Sequence, residues 1–564
     1  MKRALVVAAF AAARPHESFS DTMPDLDSRL QRISGRNSFG ELDINGSAYL
    51  AEGSRSGIFD WIAGDHSDLI AADLEQGIYL KSGDRSATAG AWVRRFSGPW
   101  NAAWFGMSSE NQGAANVRAF KAMLALAETG RAEITFPPGR YMLNEKIEVI
   151  TGFSLSVLSD NAGLVELVWS NSDGGLKITF ADITKPPTIR AIDFITTSIG
   201  GGTALSVVGP QADFGFQNGP ALEDIDVRGS DPSRHYWQNG ISLKNVWYPY
   251  VRRVDLKGRT NVAVAATMSN GLHLHNCQAP QVRDCYFLHM ERGIKATGTK
   301  VEGFNLTGGE IVGVNYGVDL DASLFNACIS IHDLHINAYS CCVRLRNIGQ
   351  MALHDLHLYK TPIGSTYWQA IEAINCHALR IHNILLSTTM LGSGGADGVV
   401  LNGCTYCLVH DITAEAWRGG GTMVVISGGP SEKNQVRNIA PGRLSPELKS
   451  VRVSNDVLGN NRFDDVAVAS RQRFRDKDAT PSVRNDLNGH WQFANALPVS
   501  VTCFTDGLDG QQITVLFASS KTTLTHNSKQ ILRNGSDVRP PDGAIMTFRY
   551  QSDGDLWREE QRNF

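Results

Sequence analysis

The stretches SIHDLHIN (330–337) and ALHDLHLY (352–359) decide the fold. Related stretches follow as LRIHNILLS (379–387) and LVHDITAE (408–415). Within each one, apolar and polar residues alternate with a period of two, which is the pattern of a β-strand with one buried face. A copy this short cannot bury its own apolar face, so the copies are expected to stack on one another.

A second series of short strands alternates with the first along the chain. Its members start at steps of 22 to 31 residues, at Gly240, Gly271, Gly293, Gly317, Cys342, Ala370, Gly398 and Thr422. A coil of that length with two or three strands suits a parallel β-helix, whereas the spacing of leucine-rich repeats is absent and propeller blades need about 40 residues. We therefore predict an all-β chain built on a right-handed parallel β-helix.

The regions around the repeat differ in pattern and give a domain plan. Residues 116–128 read as an amphipathic helix that caps the first coil, and strands separated by Asp-Gly turns in the last part of the chain indicate a small antiparallel β-domain. The predicted segments are an N-terminal segment 1–45, a head module 46–106, the β-helix 107–470, a linker 471–490 and the C-terminal β-domain 491–564.

Composition narrows the function classes. The net charge of -4 over 564 residues gives no large basic field, so nucleic acid and anionic membranes are poor partners. No apolar run is long enough for a membrane span. The start of the chain, with Lys2 and Arg3 before the apolar run 4–13, fits either a short secretory signal or a short helix.

Cysteine usage argues against disulfides and metal. Eight of the nine cysteines fall between Cys277 and Cys407, mostly in apolar, strand-like contexts, and we expect them to be reduced and buried. The Cys404–Cys407 pair has no second pair at zinc spacing. Neither a metal nor a cofactor is predicted.

Stacking brings distant side chains into columns, because equivalent positions of a parallel coil lie about 4.8 Å apart. Aligning the second series puts Lys295, Asp319, Arg344 and Glu372 in one outward column, with Asp321 and Arg346 in the next. Two coils would separate Asp319 from Glu372 by roughly 9 to 10 Å, close to the spacing of the two carboxylates of an inverting glycosidase.

This column gives the predicted site. Asp319 and Glu372 are the candidate catalytic residues, and Lys295, Asp321, Arg344 and Arg346 are the candidate substrate-binding residues around them, suited to an acidic sugar. The alternative is a surface ladder of alternating charges that avoids stacking like charges.

Aromatic and histidine side chains form further candidates. Trp368 and Trp417, with Glu415 near the latter, are predicted to lie in loops as substrate-binding residues that stack on sugar rings; a subunit interface is the alternative. His332, His354, His382 and His410 are expected to form a column of stacked imidazoles rather than a metal site. The column of Asp333, Asp355, Asn383 and Asp411 is expected at a sheet corner.

Several stretches resemble bacteriophage tailspike and tail-fibre proteins of the pectate-lyase-like β-helix superfamily. They are the head stretch from GSAYLAEG to GPWNAAWFG (46–106), FPPGRY (136–141) and the final β-domain. The family usually carries GDGxTDDTxAI before the helix, whereas this chain has MSSENQGAANVRAF (107–120) there. The calcium and arginine motifs of pectate lyases and the signatures of polygalacturonases are also missing.

The resemblance implies a fold, a glycan partner and an assembly more firmly than one reaction. It implies a homotrimer on a virion tail, joined to a phage tail attachment protein, that binds and cleaves a bacterial surface polysaccharide such as a capsule, O-antigen or exopolysaccharide. Hydrolysis is favoured slightly over lyase chemistry. A non-catalytic glycan-binding tail fibre and a secreted bacterial polysaccharide lyase remain the alternatives.

Overall fold

The computed structural model describes most of the chain beyond the first 29 residues. The described residues are 30–40, 42–127, 132–159, 162–210, 219–260, 267–324, 326–361, 367–388, 395–417, 420–440, 448–453, 461–466, 472–483 and 490–564. The fold is all-β, as predicted, with 55% strand and 7% helix. It divides into two compact units, Met1–Ser97 and Gly98–Phe564. The predicted signal or helix at 4–13 lies outside the described residues.

The first unit contains a five-stranded sheet with the order β1-β2-β3-β5-β4. Its core includes Phe39, Phe59 and Trp92, which are almost completely buried. The sheet starts before the predicted head module, while part of that module's predicted end belongs to the second unit. The elements are β1 Gln31–Ile33, β2 Ser47–Leu50, β3 Gly57–Ala63, α1 Ser67–Ala72, β4 Tyr79–Leu80, β5 Gly90–Arg94 and 3-10 turns at Arg36–Gly40 and Gly53–Arg55.

The second unit opens with the capping helix. After β6 (Trp100–Asn101) and a 3-10 turn at Ala102–Phe105, helix α2 spans Gly113–Ala127, close to the predicted 116–128. Its Phe120 packs edge-to-face on Phe136, with ring centroids 5.4 Å apart. The side-chain amide of Asn116, which is fully buried, donates to the backbone carbonyl of Met142 in the strand Gly139–Leu143. A polar contact therefore also holds the helix against this strand.

A parallel solenoid of about 13 rungs, each rung being one full turn of the coil, makes up most of this unit. Its strands after β6 are β7 Ala132–Thr135, β8 Gly139–Leu143, β9 Ile147–Thr151, β10 Leu155–Leu158, β11 Val165–Trp169, β12 Leu176–Phe180, β13 Thr188–Arg190, β14 Asp193–Thr196, β15 Thr203–Val208, β16 Ala221–Gly229, β17 Asn239–Lys244, β18 Tyr250–Lys257, β19 Met268–His275, β20 Gln281–Leu288, β21 Met290–Thr297, β22 Asn305–Leu324, β23 Ile329–Ile348, β24 Met351–Lys360, β25 Trp368–Ile374, β26 Arg380–Thr388, β27 Ala396–Asn402, β28 Leu408–Trp417, β29 Gly421–Ser427, β30 Gln435–Ala440, β31 Leu448–Val453 and β32 Arg462–Val466.

The solenoid has three faces, each a stack of parallel strands. Face A begins with β7, β10 and β13, and face B begins with β8, β11 and β14. From β16 onward a single bent strand supplies both of these faces. Face C runs through β9, β12, β15, β17, β19 and β21 and then through β25, β27, β29 and β31, with the later parts of β22 and β23 between them.

The corner between faces A and B is made by residues in the left-handed region. Asp and Asn tolerate this backbone better than other non-glycine residues, and the predicted corner column of Asp and Asn is confirmed. Its members have φ between 49° and 55°, and they include Asp224, Asp284, Asp333, Asp355, Asn383, Asp411 and Asn438.

The solenoid interior is apolar, and it contains most of the cysteines. All nine cysteines are free, and seven are buried. The prediction of reduced, buried cysteines is confirmed for those seven, whereas Cys328 is exposed and Cys503 is half-buried.

The last part of the chain forms a six-stranded sheet, ordered β33-β34-β36-β39-β40-β38, and a two-stranded β35–β37 sheet. Antiparallel pairing holds for β36–β39 and β39–β40, but β33–β34, β34–β36 and β38–β40 are parallel, so the sheet is mixed. Phe474 and Val483, from the predicted linker, belong to its core. The strands are β33 Gln472–Arg473, β34 His490–Phe493, β35 Val499–Val501, β36 Gln512–Phe517, β37 Thr522–Leu524, β38 Gln530–Ile531, β39 Ala544–Gln551 and β40 Leu556–Arg562.

Candidate functional site

The predicted outward columns lie on face C with the predicted register. Lys295 pairs with Asp319, Asp319 with Arg344, and Arg344 with Glu372, each on the next rung. The residues inside these strands, such as Val318 and Val343, are buried, so the alternation places the charged side chains outward. The neighbouring column is Lys244, His275, Thr297, Asp321 and Arg346.

Asp319 is the most buried member of the column, at 2% exposure, and it is surrounded by guanidinium groups. Arg344 donates to both carboxylate oxygens at 3.0 and 2.7 Å, Arg292 donates at 3.1 Å and Arg346 at 3.2 Å. Burial alone would raise the pKa of Asp319, but the Arg344 hydrogen bonds and the nearby arginine charges outweigh it, and the net effect lowers the pKa. Asp319 is therefore ionised, and it fixes the three arginines in place.

We call Arg292, Arg344 and Arg346 the arginine cluster. The Arg344 guanidinium also lies 3.9 Å from the ring centroid of Tyr316, a cation–π contact that further restricts it. Arg346 forms a second ion pair with Asp321 at 3.2 Å. One buried carboxylate thus faces three guanidinium groups and holds them in a fixed geometry, while Arg292 also lies 3.9 Å from Glu291.

Glu372 follows Arg344 in the column and is half-buried. The next outward position belongs to Val400, which is only 7% exposed. Within the part of the chain that the structure describes, Glu372 takes part in no salt bridge. Its carboxylate is therefore open to a ligand, unlike that of Asp319.

An exposed tyrosine immediately precedes strand β25, which carries Glu372. Tyr367 is 52% exposed, and its hydroxyl donates to the carboxylate of Asp397, which is 3% exposed. Asp397 also accepts from the backbone N–H of Thr422 at 2.9 Å and from Arg452 at 3.1 Å. Burial and the Asp397 bond raise the pKa of Tyr367, so the phenol stays protonated and its ring is held on the rung next to Glu372.

The predicted tryptophan platforms are wrong. Trp368 and Trp417 are 0% and 1% exposed, and their rings meet edge-to-face with centroids 6.1 Å apart. They lie in strands β25 and β28 rather than in loops, at inward positions of the solenoid. Glu415 is exposed, but it lies on β28 near His357, apart from the columns of face C.

The histidine column on face A is confirmed as a stack. Neighbouring ring centroids are 4.8, 5.1 and 5.0 Å apart along His332, His354, His382 and His410. Three of these rings bond the Asp that follows them, at 2.6 to 2.7 Å. Among the described residues, no group of three His, Cys, Asp or Glu side chains is placed to hold a metal ion.

Sequence reasoning missed a line of carboxylates on face B. Glu166 pairs with Asp193, and Asp226 pairs with Asp255. The register of the following residues, Phe194 with Val227, places Asp193 beside Asp226. We call Glu166, Asp193, Asp226 and Asp255 the carboxylate line, one residue on each of four successive rungs.

Cations hold every member of this line except Asp193. Arg228 contacts Glu166 at 2.8 Å and Asp226 at 3.0 Å, and Lys257 contacts Asp226 at 3.3 Å and Asp255 at 3.2 Å. No salt bridge among the described residues reaches Asp193, which is 6% exposed. Burial and the charge of Asp226 raise the pKa of Asp193 to about 6.

The signal for this line was present but weak. Three of its four members lie in the stretches VELVW (165–169), DFIT (193–196) and DVRG (226–229). The steps between Glu166, Asp193 and Asp226 are 27 and 33 residues, and all three residues precede Gly240, the first member of the aligned series. An alignment that begins at Gly240 therefore leaves them out.

Register, faces and corners together define a right-handed parallel β-helix. No family model matches the chain, and no curated protein matches it in sequence. Within the described residues, no helix is both long enough and apolar enough to cross a membrane.

Solved structures that match the chain include two phage proteins and one enzyme. The gp42 tailspike of Acinetobacter phage vb_AbaP_AS12 is 9% identical over 95% of this chain and 94% of its own, with a TM-score of 0.45. Tailspike protein 2 of Escherichia coli O157:H7 bacteriophage CAB120 is 10% identical over 76% of this chain, with a TM-score of 0.37, and the match spans about half of its length (50%). The A-module of Azotobacter vinelandii mannuronan C-5 epimerase AlgE6 is 11% identical over 64% of this chain and 98% of its own, with a TM-score of 0.44.

Proposed function

We propose that this chain binds and cleaves a bacterial surface polysaccharide that carries acidic groups, and that face C is the surface that binds it. The observation that carries the proposal is the arginine cluster around the buried Asp319. Guanidinium groups bind carboxylates and similar anions through paired hydrogen bonds. Because Asp319 and Tyr316 already hold Arg344, little side-chain entropy is lost when a sugar acid binds.

The rest of face C suits a sugar chain. Tyr367 offers a ring, fixed by Asp397, that can stack on the apolar face of a sugar. Glu372 and Lys295 lie in the same column as Arg344 and can accept from or donate to sugar hydroxyls. A linear glycan running along the solenoid axis would meet these groups on successive rungs.

The geometry does not favour Asp319 and Glu372 as an acid–base pair. A general acid needs a proton at working pH, whereas the pKa of Asp319 is lowered and the arginine cluster occupies both of its oxygens. We therefore propose that Asp319 positions the arginines and that Glu372 contacts substrate. Hydrolysis stays the proposed reaction. Elimination is the second candidate, because the arginine cluster could neutralise a uronate carboxylate as a lyase requires.

The location of the protein and its oligomeric state are proposed from the sequence resemblance to tailspikes. The head and entry stretches resemble those of tailspikes, which supports a virion tail location, a phage tail attachment partner and a homotrimer. Secretion as a bacterial enzyme is the alternative.

The test compares binding with cleavage on a defined panel of xanthan, gellan, colanic acid, alginate and purified capsular and O-antigen polysaccharides. We expect Arg344→Ala with Arg346→Ala to weaken binding at least tenfold, a loss of about 1.4 kcal/mol or more. Arg380→Ala, an exposed arginine on face A, is the matched control and should bind normally.

Three outcomes decide between the candidates. New reducing ends without unsaturated uronates indicate hydrolysis, and absorbance from unsaturated uronates indicates elimination. Binding without either product would support a non-catalytic fibre and contradict the proposed cleavage. Equal binding by the double variant and the control would show that face C is not the binding surface.

A further inference from the structure

We propose that Asp193 and Asp226 on face B are the catalytic pair of a glycoside hydrolase, Asp193 as proton donor and Asp226 as nucleophile. This inference rests on the proposed glycan binding and cleavage, and it locates the chemistry away from the arginine cluster. The pair lies about two rungs before Arg292, on a neighbouring face. That offset is roughly 10 Å along the axis, within the reach of one bound oligosaccharide.

The spacing of the pair suits this chemistry. Asp193 and Asp226 occupy equivalent positions on adjacent rungs, and adjacent rungs of a parallel sheet lie about 4.8 Å apart. Retaining glycosidases hold their two carboxyl groups about 5 to 5.5 Å apart. Glu166, on the other side of Asp193, is bound to both Arg140 at 2.9 Å and Arg228 at 2.8 Å.

The two carboxyl groups differ in the way that the roles require. Asp226 forms ion pairs with Arg228 at 3.0 Å and with Lys257 at 3.3 Å. Asp193 is only 6% exposed, and among the described residues no side chain donates a hydrogen bond to it; the group that approaches it is the backbone N–H of Asp226. Burial and the charge of Asp226 raise the pKa of Asp193, which favours the protonated form that a proton donor needs.

A purely structural ladder explains the line poorly. Surface ladders place opposite charges on neighbouring strands, because like charges directly opposite one another are destabilising. Here four carboxylates follow one another on consecutive rungs, and the cations among them, Arg228 and Lys257, form salt bridges with the other three members but, among the described residues, not with Asp193. An Asn at position 193 would fill the same space without the repulsion, so retaining an acid there has a cost that folding does not explain.

The reaction balances with these two residues and water. Asp226 attacks the anomeric carbon and forms a glycosyl ester, while the Asp193 proton passes to the glycosidic oxygen as the carbon–oxygen bond breaks. The Asp193 carboxylate then takes a proton from water, and that water attacks the same carbon and releases Asp226. One glycosidic bond and one water are consumed, and both carboxyl groups return to their starting states.

The test measures cleavage and binding separately on the same polysaccharide panel. We expect Asp193→Asn to cleave at least a hundredfold more slowly than the wild type, as for loss of a general acid, with binding unchanged. Asp226→Asn should lose cleavage as well. Asp255→Asn is the matched control, because Asp255 ends the same line outside the pair, and it should cleave at the wild-type rate. Unchanged glycan binding also shows that each variant is folded.

The outcomes separate this inference from the proposed function. If the wild type cleaves a panel member and Asp193→Asn cleaves it equally well, the inference fails while the proposed function stands. The inference also fails, and the proposed function again stands, if Glu372→Gln abolishes cleavage and Asp193→Asn does not. If the wild type neither binds nor cleaves any panel member, the proposed function fails, and the inference fails with it.

Discussion

Asp319 on face C and Asp193 on face B are two buried aspartates in opposite electrostatic settings. Their exposures are similar, at 2% and 6%. Asp319 receives hydrogen bonds from three arginines, whereas no salt bridge among the described residues reaches Asp193, whose in-register neighbours are carboxylates. The pKa of Asp319 is lowered, and that of Asp193 is raised to about 6.

The difference shows that burial alone does not set the ionisation of a carboxyl group. Burial raises the pKa of both groups, and the neighbouring charges decide the net direction. The solenoid makes such contrasts easy to build, because each rung adds one neighbour above and one below every outward position. Cations beside a buried carboxyl group lower its pKa, as at Asp319, whereas a carboxylate on the next rung raises it, as at Asp193.

The largest effect in this comparison is expected from removing the charge of Asp319. Asp319→Asn leaves the arginine cluster without its shared counter-ion, and breaking a buried ion pair on one side costs about 3 to 5 kcal/mol. We expect a large fall in the denaturant midpoint of unfolding. Asp321→Asn is the control: its side chain is 41% exposed and contacts only Arg346 in a salt bridge among the described residues, so a change below about 1 kcal/mol is expected. Equal midpoints for the two variants would contradict the anchoring role.

The column on face C that contains Asp319 could be predicted from sequence, because it depends only on the two-residue alternation of each strand and on the register between rungs. The recurring short strands of the second series allowed Lys295, Asp319, Arg344 and Glu372 to be aligned, and the pairings agree. The Asp and Asn corner was predictable for a similar reason, since few other residues tolerate its backbone.

The sequence did not show how deeply each outward side chain is buried, or which side chains of different columns contact one another. Three arginines converging on Asp319 involve three columns and three rungs, and alternation does not say which outward side chain is covered. Trp368 and Trp417 were misplaced because short strands beside loops leave the inward positions ambiguous. Asp397 and Arg452 meet across 55 residues, and the irregular early rungs concealed Asp193.

The next largest effect concerns pH. The stability contributions of Asp193 and Asp319 are expected to change with pH in opposite directions. Asp193 has a folded pKa of about 6 against an unfolded value of about 3.9, so the folded state holds the extra proton between these values, and stability falls as pH rises through this window. Relative to Asp193→Asn, the wild type should lose on the order of 2 kcal/mol between pH 4 and 6 and no more above it. For Asp319, whose folded pKa is lowered, the stability is present above about pH 4 and is lost as pH falls below it.

Denaturant unfolding of the wild type and both variants from pH 3 to 8 measures these two slopes. Subtracting each variant from the wild type cancels the titration of the other carboxylates. A difference curve for Asp193→Asn that is flat from pH 4 to 6 would remove the contrast between the two aspartates.

The smallest effect is expected at a third aspartate, Asp355, which is exposed at the corner of face A and bonded to His354 at 2.7 Å. The His354 hydrogen bond and that of Asn383 lower the pKa of Asp355, but an exposed pair of this kind is screened by solvent. Asp355→Asn should leave the denaturant midpoint unchanged within error, because Asn383 and Asn438 already occupy the equivalent corner on later rungs with φ of 53° and 49°. Asp355→Val, which keeps neither the hydrogen bond nor tolerance for this backbone, should lower the midpoint. A fall for Asn as large as that for Val would mean that the charge, rather than the left-handed backbone, selects aspartate at this corner.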